Sequence, residues 1–242
     1  SLTSFSFSST VMRFYPPRSR LSVLAALLCM AAAVLVFLCL YSCSTSSMMR
    51  IYFLKFTSGS ISVYYGWRYH CIIDSGATNC VYDNIVKYPL DLFSATLFNT
   101  TYPQIFANQV SLDSGTQPLF EATPLHNPQI VAAGFLCLIC SLSAALIVIL
   151  RLTTRKIVDR GQARGFLTLC GAALAMMMLA LVSMLYDSGE QILNLEFPNI
   201  HAEVGNGKSL VGITFGLLFV AAAILLRGCL DDSSSDAGYS EL

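Results

Sequence analysis

Tyr64-Tyr-Gly-Trp-Arg-Tyr-His-Cys-Ile-Ile-Asp-Ser-Gly-Ala-Thr-Asn-Cys80 is the stretch whose reading decides the fold. It holds the chain's only tryptophan, Trp67, and a closely spaced cysteine pair, Cys71 and Cys80. On either side the chain runs into long apolar segments, one before and three after, so this stretch belongs to a loop that folds outside a bilayer. The residues just upstream have strand character: Arg50-Ile-Tyr-Phe-Leu-Lys-Phe56 and Ile61-Ser-Val-Tyr-Tyr65 are rich in aromatic and β-branched residues, and the Thr57-Ser58-Gly59-Ser60 link carries the glycine of a hairpin turn. Two or more antiparallel strands are expected. The second leads into Gly66-Trp67 and Cys71, and Cys80 returns on a third strand or a turn.

Composition sets the class. The chain has 242 residues, 55% of them apolar and only 12% charged, with a mean hydropathy of +0.64, whereas a soluble domain carries about 25% charged residues. A membrane protein follows. A formal net charge of zero gives no basic stripe for a nucleic acid.

Four apolar runs are long enough to cross a hydrocarbon core of about 30 Å. The expected spans are residues 21–41, 129–150, 166–186 and 209–227, after a polar N-terminal tail at 1–20. The first run also resembles a signal peptide, but it exceeds an h-region of about 7 to 15 residues, which favours a retained span. The connector at 151–165 carries Arg151, Arg155, Lys156, Arg160 and Arg164 against Asp159. By the positive-inside rule it is cytosolic. Both termini are then cytosolic, and residues 42–128 and 187–208 form two extracellular loops. The second of these is acidic, with Asp187, Glu190, Glu196 and Glu203 against Lys208. The first carries Asn99-Thr100-Thr101, an N-glycosylation acceptor sequence. The tail at 228–242 is acidic, serine-rich and expected to be flexible, and its Ser240-Glu241-Leu242 has the form of a PDZ ligand.

Nothing in this pattern points to catalysis. Apart from Arg227 at the very end of the fourth, the apolar runs contain no Asp, Glu, Lys, Arg or His, whereas proton relays, pumps and intramembrane proteases use such groups. His70, His126 and His201 lack metal-ligand spacing. His70 beside Cys71 has the form of a nucleophilic pair, but a cysteine held in a disulfide offers no thiolate. No cofactor, metal or small-molecule substrate is implied, and the chain reads as a non-enzyme.

Most of the nine cysteines lie in or beside apolar runs, where a free thiol acts as a small hydrophobe. The Cys137-x-x-Cys140 pair sits within the second span, away from any His or carboxylate. Cys71 and Cys80, with Cys43 at a membrane edge, are the ones placed to meet an oxidising compartment. A Cys71–Cys80 bridge closing a loop of about ten residues contributes about 2 to 3 kcal/mol. Trp67 is expected to pack over that bridge or to join an interfacial aromatic belt. In the fourth span Gly212-x-x-x-Gly216 forms a small-residue face for close helix contact, either inside the bundle or with another chain. Met176 to Met178 point round their helix as packing filler.

Four spans, a large first outer loop of β character and Gly66-Trp67 followed by Cys71 and Cys80 together resemble the claudin-like superfamily. Within it, Ile51-Tyr-Phe-Leu-Lys55, Ser58-Gly59-Ser60, the two cysteines and Tyr88-Pro89-Leu90-Asp91 are similar in order to the fungal Sur/PalI family. The resemblance implies a mainly α, claudin-like four-helix membrane bundle with a small disulfide-stapled antiparallel sheet in the first extracellular loop. It implies a non-enzymatic plasma-membrane protein of eisosome-type cortical domains, linked to wall integrity, endocytosis or morphogenesis. Its partners would be membrane lipids and either further copies of itself or another membrane protein. An auxiliary subunit of a channel, transporter or ambient-pH receptor is the alternative.

Overall fold

A computed structural model describes residues 18–82, 128–153, 162–197 and 199–237. Four helices, α1 (Arg18–Leu40), α2 (Pro128–Thr153), α3 (Gln162–Glu196) and α4 (Gly207–Ala237), carry the four apolar runs. They pack in a ring, α1 against α2 and α4, and α3 against α2 and α4. The interior is built from small residues, among them Ala25, Ala32, Ala144, Ala175 and Ala221, all buried, which let helix backbones approach without an aqueous driving force. Large apolar side chains such as Leu27, Phe37, Ile139, Leu146, Met184 and Phe219 point outwards instead. Helices that are apolar on every side belong in lipid, and the chain is a multi-pass membrane protein of mainly α fold.

Two helices outrun their apolar segments. The third expected span ended at Tyr186, but α3 continues to Glu196; at 1.5 Å per residue its 35 residues reach about 52 Å, well beyond a core of about 30 Å. The stretch read as the start of an outer loop is therefore helix. Likewise α4 runs through Arg227 to Ala237, so the first half of the tail expected to be flexible is helical. Of the Met176–Met178 run, only Met178 is buried; Met176 and Met177 face outwards.

At the end of the bundle where α1 and α3 finish lies one antiparallel sheet. Its strands are β1 (Leu54–Ser58), β2 (Ile61–Tyr65), β3 (Tyr69–Asp74), β4 (Ala77–Tyr82) and β5 (His201–Val204), in the order β4-β3-β2-β1-β5. The expected first strand began at Arg50; the structure has a 3-10 turn at Met48–Arg50, and pairing starts at Leu54. The turns follow their glycines. Gly59 has φ +57°, and Ser75-Gly76 has φ +48° and +88°, the paired positive values that suit a two-residue hairpin turn. Buried and partly exposed residues alternate along β1 and β2. Register places Tyr65, Leu54 and Val204 in one row across the sheet and Val63, Phe56 and Ala202 in the next. This period-two pattern buries one face.

The fifth strand was not anticipated. It comes from the segment between α3 and α4, so the sheet is assembled from both connections that leave this end of the bundle. Asn194, on the extended top of α3, seals the free edge of β5: its amide donates to Ala202 O at 3.0 Å, and its Oδ1 accepts from Ala202 N at 2.8 Å. An open strand edge is thereby satisfied by a helix side chain.

Candidate functional site: the seam between sheet and bundle

The seam is organised by Gly66-Trp67. Gly66 N–H donates to Tyr69 O at 2.8 Å, closing the tight turn between β2 and β3. The turn lies against the end of α1, and a Cβ on Gly66 would collide with the carbonyl and side-chain oxygens of Ser42. Ser42 is fully buried and acts as a relay. Its hydroxyl donates to Cys39 O at 2.8 Å, near the end of α1, and accepts from Trp67 N–H at 3.3 Å. The absence of a side chain at position 66 is what lets these two segments touch. Gly66→Ala is expected to cost about 1 to 3 kcal/mol, since the obstruction is backbone and cannot rotate away. Thermal unfolding in detergent checks this; an unchanged melting temperature would show that the contact is not tight.

Trp67 then enters the seam. It is 1% exposed, stacked on Phe53 at 4.9 Å between ring centroids, and Phe53 stacks in turn on Tyr186 of α3 at 5.5 Å. The far edge of the indole meets α2, where a Cβ on Gly134 would lie 3.2 Å from Trp67 Cζ3 and 3.2 Å from Leu40 Cδ2. The expectation that Trp67 covers the disulfide or sits in an interfacial belt is therefore corrected. It joins sheet to helices, because the β2–β3 turn aims it down into the bundle.

Two further glycines, which the sequence reading passed over, continue this seam on the other side. Gly205 N–H donates to Phe53 O at 3.0 Å and Gly207 N–H to Tyr52 O at 2.9 Å, extending the β1–β5 ladder to the start of α4. A side chain at 205 would strike the Tyr52 carbonyl, and one at 207 would lie 2.9 Å from the Phe53 ring. Gly-Asn-Gly at 205–207 was a legible turn signal.

Cys71 and Cys80 stand opposite each other on β3 and β4 and are joined in a disulfide. Their register continues through Tyr64 and Lys55 to Glu203 in one row on one face of the sheet. Lys55 Nζ lies 3.0 Å from Glu203 Oε1, which also accepts from the Tyr52 hydroxyl at 3.1 Å. The hydrogen bond from Lys55 lowers the Glu203 pKa, and the same bond raises that of Lys55. Both groups are partly solvated, so the pair fixes geometry more than it stabilises. Lys208 at the start of α4 pairs with Asp187 of α3 in the same way.

The reactive readings find no support at these positions. Cys71 sulfur is committed to the bridge, so His70 has no thiol beside it. Cys43 is a buried free thiol with its pKa pushed up to about 12 by burial, and it lies outside any bridge. Cys137 and Cys140 are likewise unbridged. Among the described residues, no three His, Cys, Asp or Glu side chains gather as a metal site.

The remaining candidates divide. Gly212 meets only Leu179, at 4.0 Å, and Gly216 has nothing within 4 Å of a Cβ. Gly212 therefore touches α3 at ordinary van der Waals distance, whereas Gly216 has no close neighbour among the described residues; the tighter glycine contacts inside the bundle are those of Gly165 against Leu226 and Gly171 against Leu218 and Cys140. Gly216 instead faces outwards, beside Ile213 and Val220. Asn99 and Ser240–Leu242 lie outside the described residues.

The fold and seam define a class: a four-span membrane protein whose two loops at one end combine into a single disulfide-bridged sheet. Compared with known proteins, the chain matches no family model and no curated sequence.

Proposed function

We propose that the protein is a non-enzymatic plasma-membrane protein that organises a cortical membrane domain of the eisosome type, in the manner of the fungal Sur/PalI branch of claudin-like proteins. The observation that carries the reading is the outward Gly212-x-x-x-Gly216 face. It is a notch on α4 that is open at Gly216 among the described residues and flanked by exposed Ile213 and Val220, with Gly212 at its inner edge against Leu179 of α3. Notches of this kind let a second helix approach closely. The rigid sheet above the bundle supports lateral contacts of fixed orientation. Arg20, Arg151, Arg164 and Arg227 lie towards the end away from the sheet, and the positive-inside rule supports assigning that end to the cytosol.

Gly216→Ile tests the role. Open space at position 216 means that the substitution leaves folding intact, while a branched side chain fills the notch. Tagged wild-type protein is expected to form cortical patches and to cross-link to itself, and Gly216→Ile to lose both by several-fold. Uniform diffusion of the wild-type protein as a monomer would overturn the reading. The same notch would seat a helix of a larger channel or receptor, and stoichiometric co-purification of one such protein without self-association would favour the auxiliary-subunit reading.

A further inference from the structure

Arg68 sits in the turn between β2 and β3, next to the tryptophan that enters the bundle. Its height relative to the membrane follows from its neighbours. Gly134 of α2 is level with Leu40, where the apolar run of α1 ends. The next residue, Phe135, turns away from the bundle and is 38% exposed, in line with the outward-facing Leu136 and Ile139. The Arg68 guanidinium lies 5.8 Å from the centroid of this lipid-facing ring and 5.0 Å from that of Tyr82 at the end of β4. It also donates a hydrogen bond to the Tyr82 hydroxyl.

A fixed cation thus stands at the edge of the apolar band, held between two aromatic rings. Lys55 and Lys208 at this end of the molecule are each matched with a carboxylate. Among the described residues Arg68 has no such match.

We propose that Arg68, Tyr82 and Phe135 form a binding site for the phosphate of a phospholipid in the leaflet next to the sheet. A guanidinium presents a planar fork of donors suited to two phosphate oxygens. Only one of its donors is engaged by Tyr82. The rings hold the fork in place by cation–π attraction, which limits the rotamer freedom lost on binding. Beneath the fork, Phe135, Leu136 and Ile139 give the acyl chains of the same molecule an apolar track. A free phosphate would leave that track unused, and an anion at this depth is attracted more strongly than in bulk water because the surroundings are less polar. The proposal rests on the four spans and not on the organising role.

Native mass spectrometry of the detergent-solubilised full chain tests it, with palmitoyl-oleoyl phosphatidylglycerol added as the probe. The wild-type protein is expected to retain one phosphatidylglycerol through activation, and Arg68→Gln to retain it on the order of ten-fold less, as for loss of a charge-assisted contact. Arg68→Lys should fall between, because it keeps the charge without the fork. Phe135→Ala should also weaken retention. Dioleoylglycerol, which has the chains without the phosphate, should be retained poorly by all forms. Equal retention by wild type and Arg68→Gln, or equal retention of dioleoylglycerol and phosphatidylglycerol by the wild type, would overturn the proposal. Competition by inorganic phosphate at the same concentration would also overturn it, by reducing the site to a general anion site. Should Arg68→Gln fail to fold, Phe135→Ala and the two-lipid comparison on the wild-type protein decide the matter.

Discussion

Trp67→Ala is expected to destabilise the protein by about 3 to 5 kcal/mol, the range for deleting a fully buried aromatic. The size follows from its position. The indole stacks on Phe53, which stacks on Tyr186, so its removal opens a cavity where sheet, α1 and α2 converge. Phe53 would lose one of its two stacking partners, and the sheet would lose its main apolar anchor in the bundle. Trp67→Phe separates ring from indole. It retains an aromatic face towards Phe53, and it removes Nε1, which is buried and has no hydrogen-bond partner among the described residues. An unpartnered buried donor costs free energy in the native state, so the phenylalanine variant should lose no more than about 2 kcal/mol. A thiol-reactive dye in a detergent melt reads both variants, because Cys29, Cys39, Cys43 and Cys137 are buried and free and become reactive on unfolding. Equal melting of Trp67→Ala and wild type would show that the sheet is not held by this stack.

The four spans were legible because a bilayer imposes a requirement that the sequence must meet locally: about 20 residues without a charge. Strands β1 and β2 were legible for a similar reason, since each carries its own run of aromatic and β-branched residues and the link between them holds a glycine. β5 was not. It has four residues, and its existence depends on a partner far away in sequence, as the Lys55–Glu203 pair shows across 148 positions. Asn194 and Ser42 were hidden for the same cause: each satisfies backbone groups of a distant segment, and neither stands out from its neighbours.

Trp67 packs elsewhere than expected, buried against Phe53. Its destination depends on which way the sheet sits on the bundle, which no local pattern records. In Gly212-x-x-x-Gly216 only the packing of the helices reveals that Gly212 touches Leu179 of α3 while Gly216 faces outwards. At Gly66 the structure shows a local need for glycine that holds apart from any family resemblance, a backbone approach to Ser42 that any Cβ would block.

Cys71→Ser and Cys80→Ser are each expected to lower stability by about 2 to 3 kcal/mol through the freed hairpin. The two strands also pair by hydrogen bonds over six residue pairs, so the hairpin persists locally, and the loss is felt where Cys71 abuts the start of the loop. Cys71 sulfur lies 3.0 Å from Cys43 O, and both residues are fully buried. Cys71→Ser therefore disturbs the packing under Ser42 and Gly66 as well as the bridge. Cys80, at the more exposed end of the pair, is the cleaner probe, and its serine variant should be the milder of the two. The double variant should be no less stable than Cys71→Ser alone, because one bridge can be broken only once. The control is chemical: alkylation of the purified, unreduced protein followed by peptide mass mapping should find Cys71 and Cys80 protected and joined. Finding both as free thiols, or either joined to Cys43, would refute the bridge. Additive losses in the double variant would show that each cysteine contributes through packing rather than through the bond.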